Sequence, residues 1–588
     1  MASDESSNPP GFHYTSISHN TNEIRLLRVL RDPGHFQNDH LVQCNIIHTS
    51  LNSAPDYQAL SYTWGEEVAH PPFILLEGRK FPVRPNLHSA LAQLKSGHLV
   101  PEFLWVDGIC INQNDVEEKN SQVCKMKDIF QRASQVIVWL GSSNFDSGAA
   151  FTLLHSLNTC QSSSNKIREI IQDPNRAYEW KALINLFQRS YWRRVWVIQE
   201  VQVAKSTVVL CGDESIELSS LLCIQSMLWN EHAAPLINLA HSNTWLRNLH
   251  FWIRGRGARG LDQHPQAPPG DLFRTLLFHR LKEATDPRDK IYSLLGLTSA
   301  RNDIEIDYRS DVRQVYIDTA AYIIHTSGKL DILWAAPPHQ DRFNLPSWVP
   351  DWSIDEEKQA GLAWGLQETK LEYIYHASGK TKADAVVNRE GILFTKGLIT
   401  SSVAQLGGVT HVRHSRDIQQ TVASVNEWRT LMETHQGNGL SCLEAFARTL
   451  CCDRVKFEGD RHGTLQEKLL ALMATISQLK TVAQVKALKD STEKEYVSIK
   501  AEIEGIAQQI FRRRFVLSSS GTMGLAPEEA QVGDLICILL GCSVPVVLRA
   551  TGCYFIYIGD VYLDGYMSGR AVAEGNDGKL SFQDFVIL

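Results

Sequence analysis

Three short clusters in this chain set polar side chains at the end of an apolar element, which is where chemistry can be done. ALSYTWGEE, residues 59–67, carries an apolar run into Ser61, Tyr62, Thr63, Trp64 and the flexible Gly65. LWVDGICINQND, residues 104–115, sets Asp107, Asn112, Gln113 and Asn114 around a strand's carboxyl end. SYWRRVWVIQEV, residues 190–201, contains Glu200. If 191–204 is one helix, the neighbours of Glu200 three and four residues away are Trp196, Val197, Val203 and Ala204. None is a cation, so nothing local satisfies the carboxylate. A carboxylate on an apolar patch beside an indole takes a partner elsewhere or has a raised pKa. Arg193 and Arg194 are the nearest such partners. An ion pair across a helix contact is the structural alternative to a functional acid, because such pairs also perturb carboxylates.

Each of the other residues also has a structural reading. Trp64 and Trp105 serve either as core aromatics or as stacking platforms. Asp107 either closes a turn or meets a ligand, and Asn112 and Asn114 suit an Asx turn ahead of a helix at 115. Cys110, within an apolar run, reads as a buried thiol. His48, His70 and His88 have no ligand-type spacing, and none of the 12 cysteines forms a CxxC pair, so no metal is expected. No GxSxG, P-loop or helix-opening GxGxxG is present.

The elements that position these clusters follow from periodicity. Strands are expected at 57–62, 103–111, 135–140 and 206–211, with a hairpin at 73–83 turning near Gly78. Helical spacing begins at Pro85-Asn86 and recurs at 115–133, 147–158 and 177–203. Apolar strands alternating with amphipathic helices predict a parallel sheet covered on both faces. Ligands of open α/β sheets collect beyond the strands' carboxyl ends, where two of the three clusters fall. The expected organisation is an N-terminal extension at 1–53, an α/β domain at 54–225, a mainly helical region at 226–514 and a small antiparallel β unit at 515–588. Helical text at 464–514 ends in Arg512-Arg513-Arg514, which reads as a solvated helix terminus.

Composition bounds the function. A chain of 588 residues exceeds one ordinary core, and about three or four units are expected at roughly 150 residues each. Hydrophobic residues at 43% and charged residues at 21% exclude a disordered or fibrous chain. A net charge of -7 gives no global attraction to nucleic acid or anionic lipid. The short RGRGARG run at 254–260 reads as a mobile loop rather than an RNA site. The start, MASDESSNPPG, lacks a signal pattern. The longest apolar run, 535–548, is broken by Gly541, Ser543 and Pro545 and falls short of the ~20 residues of a membrane helix. Reduced thiols in the cytoplasm, or in the nucleus, are the economical reading.

The same residues carry a family likeness. YQALSYTWG, then LWVDGICINQNDVEEKNSQVCKMKDIFQRASQVIVWLG, then RRVWVIQEV resemble, in that order across about 54–204, the fungal heterokaryon-incompatibility (HET) domain. DPRDKIYSLLGL at 286–297, LPSWVPDWS at 345–353 and GDLICILLGCSVPVVLR at 533–549 resemble segments that often accompany it. The resemblance implies a filamentous-fungal protein of non-self recognition or programmed cell death, which self-associates or meets another incompatibility protein. The HET domain is in turn distantly similar to the TIR domain, a flavodoxin-like α/β unit of immune signalling. Ser61 matches the TIR Ser-containing loop, Asp107 the Asp that ends a middle strand, and Trp196 with Glu200 the Trp and Glu of the TIR catalytic helix. Arg194 and Val197 stand where that helix has Ser and Cys.

That likeness implies cleavage of the nicotinamide–ribose bond, with NAD as substrate rather than cofactor. Glu200 would stabilise the oxocarbenium-like centre. Ser61, Tyr62, Asp107 and Asn112 would hold ribose or phosphate, with Trp64 or Trp196 stacking a ring. The alternatives are a non-enzymatic signalling or self-assembly module and an accessory protein of a biosynthetic gene cluster.

Overall fold

Nine short runs become the strands of one sheet in the first of two units, Met1–Ser310 and Asp311–Leu588. The computed structural model describes residues 12–18, 22–30, 41–96, 101–160, 163–229, 271–336, 342–354, 366–367, 372–411, 418–437, 439–453, 503 and 505–588. In chain order the strands are β1 (Glu23–Val29), β2 (Gln43–Ser50), β3 (Gln58–Tyr62), β4 (Phe73–Leu76), β5 (Arg79–Pro82), β6 (Leu104–Trp105), β7 (Gln135–Trp139), β8 (Thr207–Cys211) and β9 (Glu214–Glu217). They lie in the order β5-β4-β2-β1-β6-β3-β7-β8-β9. The central four, β6, β3, β7 and β8, run parallel. Nearly all their side chains are buried, as a sheet covered on both faces requires. Antiparallel partners flank this centre, so the sheet is mixed. The expected hairpin is β4–β5, with Gly78 at φ +73° in its turn.

The helices of this unit are α1 (Pro85–Ser96), α2 (Asp107–Cys110), α3 (Val116–Arg132), α4 (Ser147–Thr159), α5 (Ser164–Gln172), α6 (Ala177–Phe187), α7 (Trp196–Gln202), α8 (Leu218–Trp229), α9 (Leu272–His279) and α10 (Asp289–Leu295). Three sequence expectations change. The run at 103–111 stops being a strand at Trp105, because α2 starts at Asp107 and the Cys110 amide bonds back to Val106 O at 2.7 Å. The single helix expected at 177–203 breaks into α6, a 3-10 turn at Ser190–Arg193 and α7. There the backbone turns outward to pair with Glu283: Val195 N donates to Glu283 O at 2.9 Å and Glu283 N to Arg193 O at 2.6 Å. Residues 23–50 are not an extension, since β1 and β2 belong to the same sheet. Their arginines hide this. Arg25 has no solvent exposure, and Glu118 on α3 neutralises it at 2.6 and 2.9 Å.

In the second unit the sheet starts earlier than 515. β10 (Leu366–Gln367) and β11 (Glu372–Tyr373) make a separate pair. β12 (Ala385–Val387) adds to the long β13 (Leu393–Val409), which is followed by β14 (Arg513–Ser518), β15 (Met523–Pro527), β16 (Leu535–Leu539), β17 (Val546–Thr551), β18 (Tyr554–Asp560), β19 (Tyr562–Leu563) and β20 (Phe582–Ile587). Because β13 pairs with both β16 and β20, the strands β16-β17-β18-β20-β13 close into a ring. Register shifts at Ile399/Ser401, against β16, and at Val403/Gln405, against β14, bend β13 as it passes from one partner to the next. Arg513 is not on a solvated helix end: it opens β14, is 1% exposed, and holds Asp560 at 2.8 and 2.9 Å. The RGRGARG run and the helical text over 464–502 lie outside the described residues.

Candidate functional site

A cavity of about 490 Å³ opens in the first unit beyond the carboxyl ends of β3 and β6. Its near wall is the chain leaving β3, Thr63-Trp64-Gly65, together with Asp107 at the start of α2. The first turns of α3 and the 190–196 crossing add Lys119, Arg194 and Trp196. The far wall is a later stretch, 283–308, which includes Asp286, Asp289 and Tyr308.

Asp107 is held by neutral donors. Its Oδ2 accepts from Trp64 Nε1 at 2.8 Å and its Oδ1 from the Gly108 amide at 2.7 Å, and Tyr62 Oη also bonds it. Burial pushes this carboxyl up, against the Arg194 charge and those donors. A Cβ at position 108 would lie 2.6 Å from Tyr62 Oη, so glycine lets the tyrosine reach under the turn. The Arg84 guanidinium sits 5.3 Å from the Trp64 ring centroid and donates to Gly65 O at 2.6 Å, fixing that aromatic at the rim.

Asp289 repeats the pattern from the other side. Tyr308 Oη donates to its Oδ1 at 2.6 Å and the Trp196 indole also bonds it. Burial again pushes the carboxyl up, with Lys119 a weak counter-charge. The Lys119 Nζ lies 3.8 Å from the Tyr308 ring centroid. Asp286, by contrast, is an ion-pair partner. Burial would raise it, but Arg288, donating at 2.9 and 2.8 Å, holds it below the usual carboxylate range.

Glu200 lies one layer deeper and is not on the cavity wall. It is 3% exposed and accepts a hydrogen bond from Ser61 Oγ, which also bonds Tyr191 Oη at 2.8 Å. Burial raises its pKa to about 7, with the Arg194 charge pulling the other way. Of the two alternatives for this carboxylate, the raised pKa is realised, and its hydrogen-bond partner is a hydroxyl. Arg194 donates to the Tyr62 carbonyl, and Arg193 pairs with Glu283 at 3.5 Å.

The structure therefore divides the residues picked from the sequence. Trp64, Asp107 and Trp196 line the cavity. Tyr62 touches it through Asp107, while Ser61 on β3 and Glu200, which it bonds, do not line it. Asn112 forms the Asx turn, its Oδ1 accepting the Asn114 amide at 3.3 Å. Lys119, Asp286, Asp289 and Tyr308 escaped the reading of the sequence. The DPRDKIYSLLGL block was a visible signal, but no spacing rule returns a segment that starts 84 residues after α7 ends to the end of the sheet. Among the described residues no group of three or more metal-ligating side chains occurs, and no helix is long and apolar enough to cross a membrane. All 12 cysteines are free thiols.

Residues 57–200 match the family model of the heterokaryon incompatibility protein (HET), and residues 458–581 match that of the Het-6 beta-barrel domain. The HET match thus falls on the first unit, from β3 to α7, and the barrel match falls on the unit whose strands close into a ring. Across almost its whole length it is similar to heterokaryon incompatibility protein 6, OR allele, of Neurospora crassa: 25% identical over 669 aligned positions, spanning 95% of this chain and 96% of that protein. No solved structure matches it. The HET match stops at Glu200, so the far wall of the cavity, 283–308, lies outside it.

Proposed function

We propose that this protein acts in fungal non-self recognition and programmed cell death, and that its first unit does so by binding NAD and cleaving the nicotinamide–ribose bond. The observation that carries the cleavage reading is the cavity, in which Trp64, Trp196 and Tyr308 stand beside Asp107 and Asp289, with Arg84, Lys119 and Arg194 around them. Aromatic faces suit a base or pyridine ring, cations suit a pyrophosphate, and carboxylates suit ribose hydroxyls and an oxocarbenium-like centre. The order of the parallel strands supports the TIR-like reading. Numbered along the chain, β6-β3-β7-β8 is 2-1-3-4, the order of flavodoxin-like sheets, whose ligands sit outside the strands' carboxyl ends. The test is nicotinamide release from NAD by the purified full-length chain over a range of protein concentrations. No release at any concentration removes the cleavage reading.

A second reading, a non-enzymatic signalling or self-assembly module, is favoured by one observation: Glu200 is buried, bonded by Ser61, and does not line the cavity. Here the TIR-like likeness supplies a scaffold that binds a second copy or another incompatibility protein, since fold does not fix function. Regulated expression in a fungal host separates the two. Growth arrest with a falling NAD level supports cleavage; arrest with NAD unchanged supports the scaffold.

A further inference from the structure

The cavity holds two carboxyl groups in near-duplicate settings. Asp107 takes an indole N–H from Trp64 and a phenol from Tyr62; Asp289 takes an indole N–H from Trp196 and a phenol from Tyr308. Neither hydrogen bonds to a cation, although both stand on the wall of a cavity that also presents Arg194 and Lys119. Asp286, three residues before Asp289 in the same wall, is by contrast matched by the Arg288 guanidinium. The two differ in spare capacity. Asp107 already accepts from Trp64, Tyr62 and the Gly108 amide. Asp289 accepts from Tyr308 and Trp196 only, which leaves about two of a carboxylate's four lone-pair sites open.

Resting on the cleavage reading above, we propose that Asp289 is the catalytic carboxylate of this site, that Asp107 binds the ribose hydroxyls, and that Glu200 supports the end of β3 from behind. In the step, the bond from ribose C1′ to the pyridinium nitrogen breaks with its electron pair going to that nitrogen, so neutral nicotinamide leaves. The Asp289 carboxylate faces the electron-poor C1′. A water oxygen then bonds to C1′, and Asp289 accepts the water's proton, giving ADP-ribose and, after release of that proton, the starting enzyme. Lys119, at the Tyr308 ring, favours the ionised form of Asp289 that this step needs. The functional unit therefore extends past the HET match to at least Tyr308.

The experiment measures nicotinamide release, product binding and thermal midpoint for the full chain and three variants, Asp289→Asn, Asp289→Glu and Glu200→Gln. The expected result for Asp289→Asn is a fall in kcat of about 100-fold or more. Its affinity for ADP-ribose and its thermal midpoint stay near those of the parent, and the rise of rate with pH seen in the parent is lost. Asp289→Glu recovers part of the rate, and Glu200→Gln keeps most of it. Unchanged kcat in Asp289→Asn, or a collapse confined to Glu200→Gln, overturns the assignment while leaving NAD cleavage intact. Lost binding together with a lowered midpoint in both Asp289 variants also overturns it, in favour of a structural role. A parent chain that releases no nicotinamide removes the assignment together with the reading on which it rests.

Discussion

Asp560 in the second unit and Asp107 and Asp289 around the cavity of the first are held in opposite ways. In the ring of the second unit, Asp560 is clasped by Arg513 through two hydrogen bonds at 2.8 and 2.9 Å, and both residues are nearly inaccessible. Around the cavity of the first unit, Asp107, Asp289 and Glu200 are held by hydroxyls, indoles and an amide instead, and burial pushes all three up. A guanidinium removes a carboxylate's chemistry along with its charge. Neutral donors fix its position and leave its proton negotiable. The first unit is not short of arginine, since Arg25 neutralises Glu118 in the same sheet. The neutral settings around the cavity are therefore not a consequence of a sheet that lacks arginine.

This contrast can be broken by mutation. The largest effect is expected for Arg513→Met, which strands Asp560 inside the ring and should lower the stability of the second unit by about 3–5 kcal/mol. Replacing Asp560 by Leu in the same chain should restore most of that, because an apolar pair carries no uncompensated charge. Urea unfolding of the single and double variants checks both statements. A single variant as stable as the parent would mean that the pair contributes nothing.

Glu200→Gln sharpens the other side. The folded-state pKa of Glu200 is raised to about 7, so the folded chain holds a proton there that the unfolded chain has released. Stability from this group is full below the unfolded value and falls as pH rises through the folded one. The window is about pH 4.5 to 7, and the amplitude is roughly 3 kcal/mol at most. Glutamine cannot ionise, so the variant should lose this slope and be the more stable of the two at pH 8. Unfolding midpoints at pH 5 and pH 8 decide it, and parallel pH curves for parent and variant would contradict the assignment.

The smallest effect is expected for Trp64→Phe, which keeps the ring near Arg84 but deletes the N–H given to Asp107. A cost of about 1 kcal/mol in stability is expected from one such bond, with weaker ADP-ribose binding by calorimetry. A Trp64→Phe chain that matches the parent in both would place that indole outside the site.

How much of this was legible in the sequence depends on how local the signal was. β3, β7, β8 and α3 were readable because each is a continuous apolar run or stripe. β1 was not, because Arg25 and Arg28 interrupt its pattern and only the distant Glu118 explains the first of them. α7 was read too long, since the break at Arg194 is fixed by pairing with Glu283, 89 residues later in the chain. The closure of the ring was invisible for the same reason: β13 and β14 are separated by more than 100 residues. At the site, Trp64 and Asp107 were found because they end apolar runs. Asp289 and Tyr308 were not, because their relation to Asp107 exists only in three dimensions. Glu200 was singled out because no cation stands near it on its helix, and burial raises its pKa. What the helical spacing left out was Ser61, the hydroxyl on β3 that donates to it.

The most direct test is crystallographic. Crystals of the full chain grown with ADP-ribose should show the ribose between Asp107 and Asp289, its C1′ facing the Asp289 carboxyl, with Trp64 or Tyr308 against the ligand. Clear density for the ligand at another site, or crystals at saturating ADP-ribose in which the cavity holds only water, would contradict the account.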